Sequence, residues 1–146
     1  MTIQVGDKLP QTTLSTMTGE GPKPVSLEEL CAGKKVVLFA VPGAFTPACS
    51  TQHLPGYVTN AGNLKEKGVD VVACISVNDP FVMGAWGKDR STGEEVLMLA
   101  DGNAEFTTEV GLEMDGSGFG LGKRSQRYAM IIDDGVVSTL NVESGP

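Results

Sequence analysis

Cys31, Cys49 and Cys74 are the residues of this chain best able to do covalent chemistry. Cys49 has the most informative surroundings, Val41-Pro42-Gly43-Ala44-Phe45-Thr46-Pro47-Ala48-Cys49-Ser50. Thr46 is a good helix N-cap, and Pro47 suits the first helical position. Cys49 then falls at the third position, inside the first turn. Free backbone N–H groups and the positive end of the helix dipole favour an anion there. An ordinary thiol, with a pKa near 8.5, is only about 3% thiolate at pH 7. A helix N-terminus with a cationic neighbour lowers that pKa to roughly 3.5–7.5. The spacing therefore suits a nucleophilic thiol. An inert cysteine packed in the core is the competing reading.

His53 lies one helical turn beyond Cys49, on the same face. A Cys–His nucleophilic pair, or a metal site shared with Cys74, is open to it. Helix packing or an interface role is the favoured reading. No metal and no cofactor is expected.

The elements that must position Cys49 show as apolar runs. Val36–Val41, Val69–Val77 and Glu95–Ala100 read as strands, each closed by a turn signal. Tyr128–Ile132 and Val136–Leu140 read as a hairpin across Asp133-Asp134-Gly135. Ser26 and Glu29 form a capping-box pattern before a short helix. A long helix is expected from about Pro47 to Lys67, stopped by Gly68 and kinked at Pro55-Gly56. A third helix starts at Asp79-Pro80, and a fourth covers Ala104 to Val110. From Val36 the order is β-α-β-α-β-α-β-β. Near-continuous apolar strands alternating with helices predict a sheet covered on both faces, made mixed by the closing hairpin. The fold class is α/β, thioredoxin-like, with a central mixed sheet flanked by helices. The chain up to about residue 33 reads as a short appendage. In such sheets, sites lie beyond the carboxyl ends of the strands, where Cys49 falls.

Glycine clusters in Gly116-Ser117-Gly118-Phe119-Gly120-Leu121-Gly122. The stretch neither directly follows a strand nor opens a helix, so a mobile surface loop is favoured over a nucleotide-binding loop.

Composition bounds the function. At 146 residues the chain is long enough for one domain with a core and too short for two ordinary ones. A net charge of −7 gives nothing to draw it to phosphate backbones, so nucleic acid is not an expected partner. Apolar runs such as Val36–Pro42 fall far below the roughly 20 residues needed to span a bilayer, so no membrane association is expected. Residues Met1 to Asp7 carry no secretion signal, and the odd, sparse cysteine count fits a reducing compartment. A cytoplasmic location is expected.

Pro42, Thr46 and Cys49 stand as P-x-x-x-T-x-x-C. This resembles the active-site signature of the peroxiredoxins, thiol peroxidases built on a thioredoxin-like fold. His53-Leu54-Pro55-Gly56-Tyr57, Ser76 to Trp86, and Arg124-Ser125-Gln126-Arg127-Tyr128-Ala129 extend the resemblance to the atypical type II (peroxiredoxin-five) branch. It covers about Val5 to Val142.

The resemblance implies a role for each matching residue. Cys49 aligns with the peroxidatic cysteine, which becomes a sulfenic acid on attacking a hydroperoxide. Thr46 aligns with the threonine that hydrogen-bonds thiolate and peroxide. Arg127 aligns with the arginine that stabilises the thiolate and polarises the peroxide. Pro42 aligns with the proline that shields the thiolate from water. Without the resemblance, Arg127 reads as a surface salt-bridge partner. Unwinding near Pro55-Gly56 would expose oxidised Cys49 to a reductant. Phe45, Leu112 and Phe119 are candidate walls for an apolar substrate pocket, with core packing the alternative for Phe45 and Leu112. A homodimer is implied, in which loops near Phe45, Phe81 and Phe119 meet.

A sulfenic acid must be resolved by another thiol. Cys74 lies mid-strand and Cys49 beyond a strand end, so a direct bridge demands backbone movement. Cys74 is read as a buried structural thiol, and Cys31 has no motif around it. Some type II members carry a resolving cysteine in a C-terminal tail, which this sequence does not contain. The sequence stops at Pro146, short of the family's final helix, so one thioredoxin-like domain over residues 1–146 without that helix is expected. The resemblance then implies an external reductant, glutaredoxin with glutathione, or thioredoxin. No C-x-x-C pair is present, which counts against a thioredoxin or disulfide isomerase. Rival readings are a peroxide sensor passing oxidation to a partner protein and a non-catalytic binding module on the same fold.

Overall fold

A computed structural model of the chain describes residues 2–46, 54–90, 92 and 95–143. The strands are β1 (Thr13–Thr18), β2 (Gly21–Ser26), β3 (Lys35–Ala40), β4 (Val71–Ser76), β5 (Leu97–Ala100), β6 (Glu113–Asp115), β7 (Lys123–Ser125), β8 (Tyr128–Asp133) and β9 (Val136–Val142). The helices are α1 (Leu27–Cys31), α2 (Leu54–Glu66), α3 (Pro80–Asp89) and α4 (Glu105–Glu109). The main sheet has the order β2-β1-β5-β4-β3-β8-β9. β3, β4 and β5 are parallel neighbours, and the outer strands pair antiparallel.

Side-chain alternation along β3 divides the core. Val36, Leu38 and Ala40 join Leu27, Cys31, Phe106 and Val110 on the face covered by α1 and α4. Val37 and Phe39 join Tyr57, Leu64, Met83 and Trp86 on the face covered by α2 and α3. This is the mixed sheet with helices on both faces that the apolar runs predict.

Local signals are also met. Ser26 Oγ accepts from the Glu29 N–H and Asp79 Oδ1 from the Val82 N–H, so both cap their helices as expected. Gly68 ends the turn after α2 with φ +95°. Asp134 and Gly135 take φ of +48° and +81°, the two left-handed residues of a type I′ hairpin turn.

One expectation is corrected. The first 33 residues are not an appendage, because β1 and β2 form a hairpin that extends the sheet beyond β5. Gly84 lets α3 settle on that hairpin; a Cβ there would lie 2.6 Å from Met17 Cβ. The glycine-rich stretch is a surface loop, as the sequence predicts. It closes the hairpin β6–β7 through Gly116 N–H to Gly122 O at 2.7 Å and Leu121 N–H to Gly116 O at 3.0 Å. Among the described residues no helix is long and apolar enough to cross a membrane.

Candidate functional site

β3 delivers the chain to the carboxyl end of the sheet, where Val41 N–H still reaches Ile75 O of β4 at 3.2 Å. Pro42 and Gly43 follow, both buried. The next turn is fixed from several sides. Ala44 N–H donates to Asn78 Oδ1 at 3.0 Å, and the same oxygen accepts the Ser76 hydroxyl at 2.6 Å. Phe45 takes φ +65°, a left-handed conformation costing a non-glycine residue about 1 kcal/mol or more. Its ring is half exposed and tilts towards Trp86, with centroids 6.4 Å apart. Thr46 folds back, its hydroxyl donating to Gly43 O at 2.8 Å. With that proton engaged, the Thr46 oxygen keeps lone pairs that can accept from the residues that follow.

Residues 47–53 lie outside the described residues, and Cys49 and His53 with them. The N-cap role of Thr46, the helix start at Pro47 and the kink at Pro55-Gly56 all depend on that segment. The chain is described again from α2, whose Tyr57 ring stacks on Phe39 of β3 with centroids 3.8 Å apart and planes within 5°. That stack holds α2 over the end of β3. Burial first, then the nearby Cys74 and Glu143, hold the Tyr57 phenol above its ordinary pKa.

Arg127 comes to the same end of the sheet through topology. β8 runs antiparallel to β3 with Ala40 opposite Tyr128, so Arg127 is the next residue at the end where Val41 and Pro42 leave β3. It is only 7% exposed. Its carbonyl accepts the Glu143 N–H at 2.9 Å, and its Nε lies 3.7 Å from Glu143 Oε2. Its Nη1 is buried and has no partner among the described residues. A buried guanidinium nitrogen without an acceptor is costly, so the position favours an anion or a polarised oxygen beside it. Arg127 is therefore a buried cation and not the exposed salt-bridge residue that spacing alone suggests.

The remaining expectations divide. Leu112 is 2% exposed and belongs to the core, so it is not a pocket wall. Phe81 and Phe119 are exposed, at 65% and 79%. Cys74 is fully buried midway along β4, in register with Phe39 and Met98. Cys31 lies at the opposite end of the sheet, lining a cavity of about 270 Å³ with Leu27, Glu28 and Asp134. Burial pushes its thiol up to about 11, which makes it a poor nucleophile at neutral pH.

Three neighbours of the site escape sequence reasoning as individuals: Asn78, Arg124 and Glu143. A Cβ at Gly43 would lie 3.2 Å from Arg124 Nη1, so that guanidinium reaches the turn. Asn78 and Arg124 stand within the quoted strings, but nothing in their spacing tells which atoms they meet.

The chain matches the Redoxin family over residues 4–146. It is 57% identical to Peroxiredoxin-2E, chloroplastic, of Arabidopsis thaliana, an alignment covering 98% of this chain and 63% of that protein. The chain thus spans less than two thirds of that relative's length. Peroxiredoxin-2B of the same plant is 51% identical, over 98% of this chain and 89% of that one. Reduced Prx3 in complex with hydrogen peroxide, from Vibrio vulnificus, is 63% identical, with a TM-score of 0.93 over 97% of this chain and 89% of that one. A relative named for the chloroplast does not fit the plain cytoplasmic location expected from the sequence.

Proposed function

Because this chain belongs to the Redoxin family and, within it, to the type II peroxiredoxins, we propose that it reduces hydroperoxides through Cys49. The observation that carries the reading is Arg127 Nη1, buried and without a partner among the described residues, at the end of the sheet where β3 leads into the turn of Pro42 to Thr46. That nitrogen is suited to a thiolate or a peroxide oxygen.

The Cys49 thiolate attacks the terminal oxygen of R–O–O–H. A sulfur–oxygen bond forms as the O–O bond breaks. The leaving RO⁻ takes up a proton to become an alcohol, or water where R is hydrogen, and Cys49 is left as a sulfenic acid. Charge grows on the leaving oxygen during this step. Arg127 and the Thr46 hydroxyl are the donors that meet it in this reading, and fixed donors act chiefly on the transition state. Thr46 serves as a donor once its proton turns from Gly43 O. Pro42, buried and lacking an N–H, keeps water from the thiolate.

The substrates are hydrogen peroxide and alkyl hydroperoxides. An external thiol resets the sulfenic acid, supplied by glutaredoxin with glutathione or by thioredoxin. The burial of Cys74 and the raised thiol of Cys31 favour an external source. The chain acts as one thioredoxin-like unit and pairs as a homodimer, for which exposed Phe45, Phe81 and Phe119 offer apolar surface. A reducing compartment suits this cycle, either the cytoplasm or the plastid of the chloroplastic relative.

The test is peroxide consumption by the wild type and Cys49→Ser, with glutaredoxin and glutathione or with thioredoxin. The serine variant is expected to lose turnover completely. Activity that survives the substitution would sink the reading.

A further inference from the structure

We propose that Arg124 is a positioning residue of the peroxidatic turn, clamping Gly43–Thr46 from the glycine-rich hairpin. The inference rests on the reading of Cys49 as the peroxide-reducing thiol.

Gly43 is the first sign. Its φ lies outside the left-handed region, so backbone conformation does not demand a glycine there. Space does. A Cβ at that position would fall 3.1 Å from Thr46 Cγ2 and 3.2 Å from Arg124 Nη1. The threonine methyl and the guanidinium both crowd the space where a side chain would stand. The Gly43 carbonyl meanwhile receives the Thr46 hydroxyl at 2.8 Å. Arg124 therefore presses on the residue that orients Thr46.

The second sign is how Arg124 is held. Its backbone lies in β7, opposite Met114 of β6. Its Nε donates to Leu121 O at 2.9 Å, within the glycine-rich stretch. Leu121 is fixed in turn by its own N–H on Gly116 O at 3.0 Å. One edge of the planar guanidinium is thus anchored on the hairpin, and Nη1 projects to Gly43. No carboxylate approaches Arg124 within 4.0 Å among the described residues. Its charge is therefore left for the turn, with the sign that favours a thiolate. The short hairpin gains a purpose, since it carries the anchor of the clamp.

The mechanism separates into charge and shape. The charge lowers the thiolate pKa, and the fork fixes the turn. Arg124→Met keeps much of the stem and loses both. Arg124→Lys keeps the charge but lacks the planar group that reaches Leu121 O and Gly43 together. The first measurement is the pH profile of Cys49 alkylation, with no peroxide present. The second is the rate constant of Cys49 oxidation by hydrogen peroxide.

In Arg124→Met the Cys49 pKa is expected to rise by about one unit, and oxidation to slow by about ten- to a hundredfold. Arg124→Lys should recover the pKa but less than about a third of the rate. Gly43→Ala crowds both Thr46 Cγ2 and Arg124 Nη1 by a few tenths of an ångström and should slow oxidation with arginine still present. An unchanged pKa and rate in Arg124→Met overturns the proposal, even if the melting temperature falls, because that pattern is a structural brace only. Full recovery of the rate by lysine also overturns it, since charge alone would then suffice. If Arg124→Met does not fold, the lysine variant decides by the same rates. Failure of the peroxidase reading is distinguishable, because the wild type would then show no oxidation of Cys49 while the alkylation profile still reported on Arg124.

Discussion

Glu143 grips Arg127 at two points: its N–H donates to the Arg127 carbonyl at 2.9 Å, and its Oε2 lies 3.7 Å from Arg127 Nε. The two contacts differ in weight. The Glu143 side chain is 61% exposed and that of Arg127 8%, and an ion pair with one solvated partner contributes about 0–1 kcal/mol. The main-chain bond is common to any side chain at position 143. Glu143→Gln should therefore slow Cys49 oxidation by less than about fivefold. Arg127→Met removes the cation itself and should slow it by about a hundredfold or more while raising the Cys49 pKa. Stopped-flow oxidation of the two variants checks this. A Glu143→Gln defect as large as that of Arg127→Met would show that the carboxylate, and not the backbone, holds the arginine.

Cys74 sits between Phe39 and Met98 in the sheet, fully buried under α2 and α3. A disulfide to Cys49 needs Cα atoms within about 7 Å and side chains pointing at one another, and the Cys74 side chain is packed in the core with Phe39, Met83 and Trp86. Cys74→Ala should keep turnover with glutaredoxin and glutathione or with thioredoxin, at a stability cost of about 1 kcal/mol for the small cavity. Steady-state peroxide consumption and a denaturation curve measure the two effects. Loss of turnover with the first oxidation of Cys49 intact would make Cys74 an obligatory resolving thiol.

What the sequence reveals follows burial. β3, β4 and β5 are legible because strands covered on both faces must be apolar along their whole length. β1 and β2 are not, since Thr-Leu-Ser-Thr-Met-Thr and Gly-Pro-Lys-Pro-Val-Ser carry the polar residues and prolines of a sheet edge. β6 and β7 are three residues each and largely solvated, which leaves no period to read. The site divides in the same way. Pro42 and Thr46 are local in sequence, and their turn chemistry shows in the letters. Arg127 comes to the end of the sheet where the turn begins because β8 pairs antiparallel with β3, a register set by tertiary packing. Arg124 and Gly43 meet through space between a hairpin and a strand end, and no spacing rule encodes that contact.

Burial also makes Cys31 a source of alkaline sensitivity. Its thiol is pushed from 9.0 to about 11, chiefly by desolvation, with Lys34 pulling weakly the other way. A raised acid pKa means that the folded state holds its proton longer than the unfolded state does. The associated stability is intact below about pH 9 and is lost as the pH rises towards 11. Two pKa units bound that loss at about 3 kcal/mol. Tyr128, buried with its phenol also pushed up, adds a loss of the same sign beginning near its ordinary pKa of 10.0. Urea midpoints measured from pH 8 to 11 should therefore fall, and Cys31→Ala should flatten the part of the fall that begins near pH 9 while leaving the Tyr128 part. The variant should start lower at pH 8, because removing the buried sulfur opens a small void beside Leu27 in the core. A wild-type midpoint that holds steady through pH 11 would mean that Cys31 ionises in place and that its surroundings are wetter than its 1% exposure indicates.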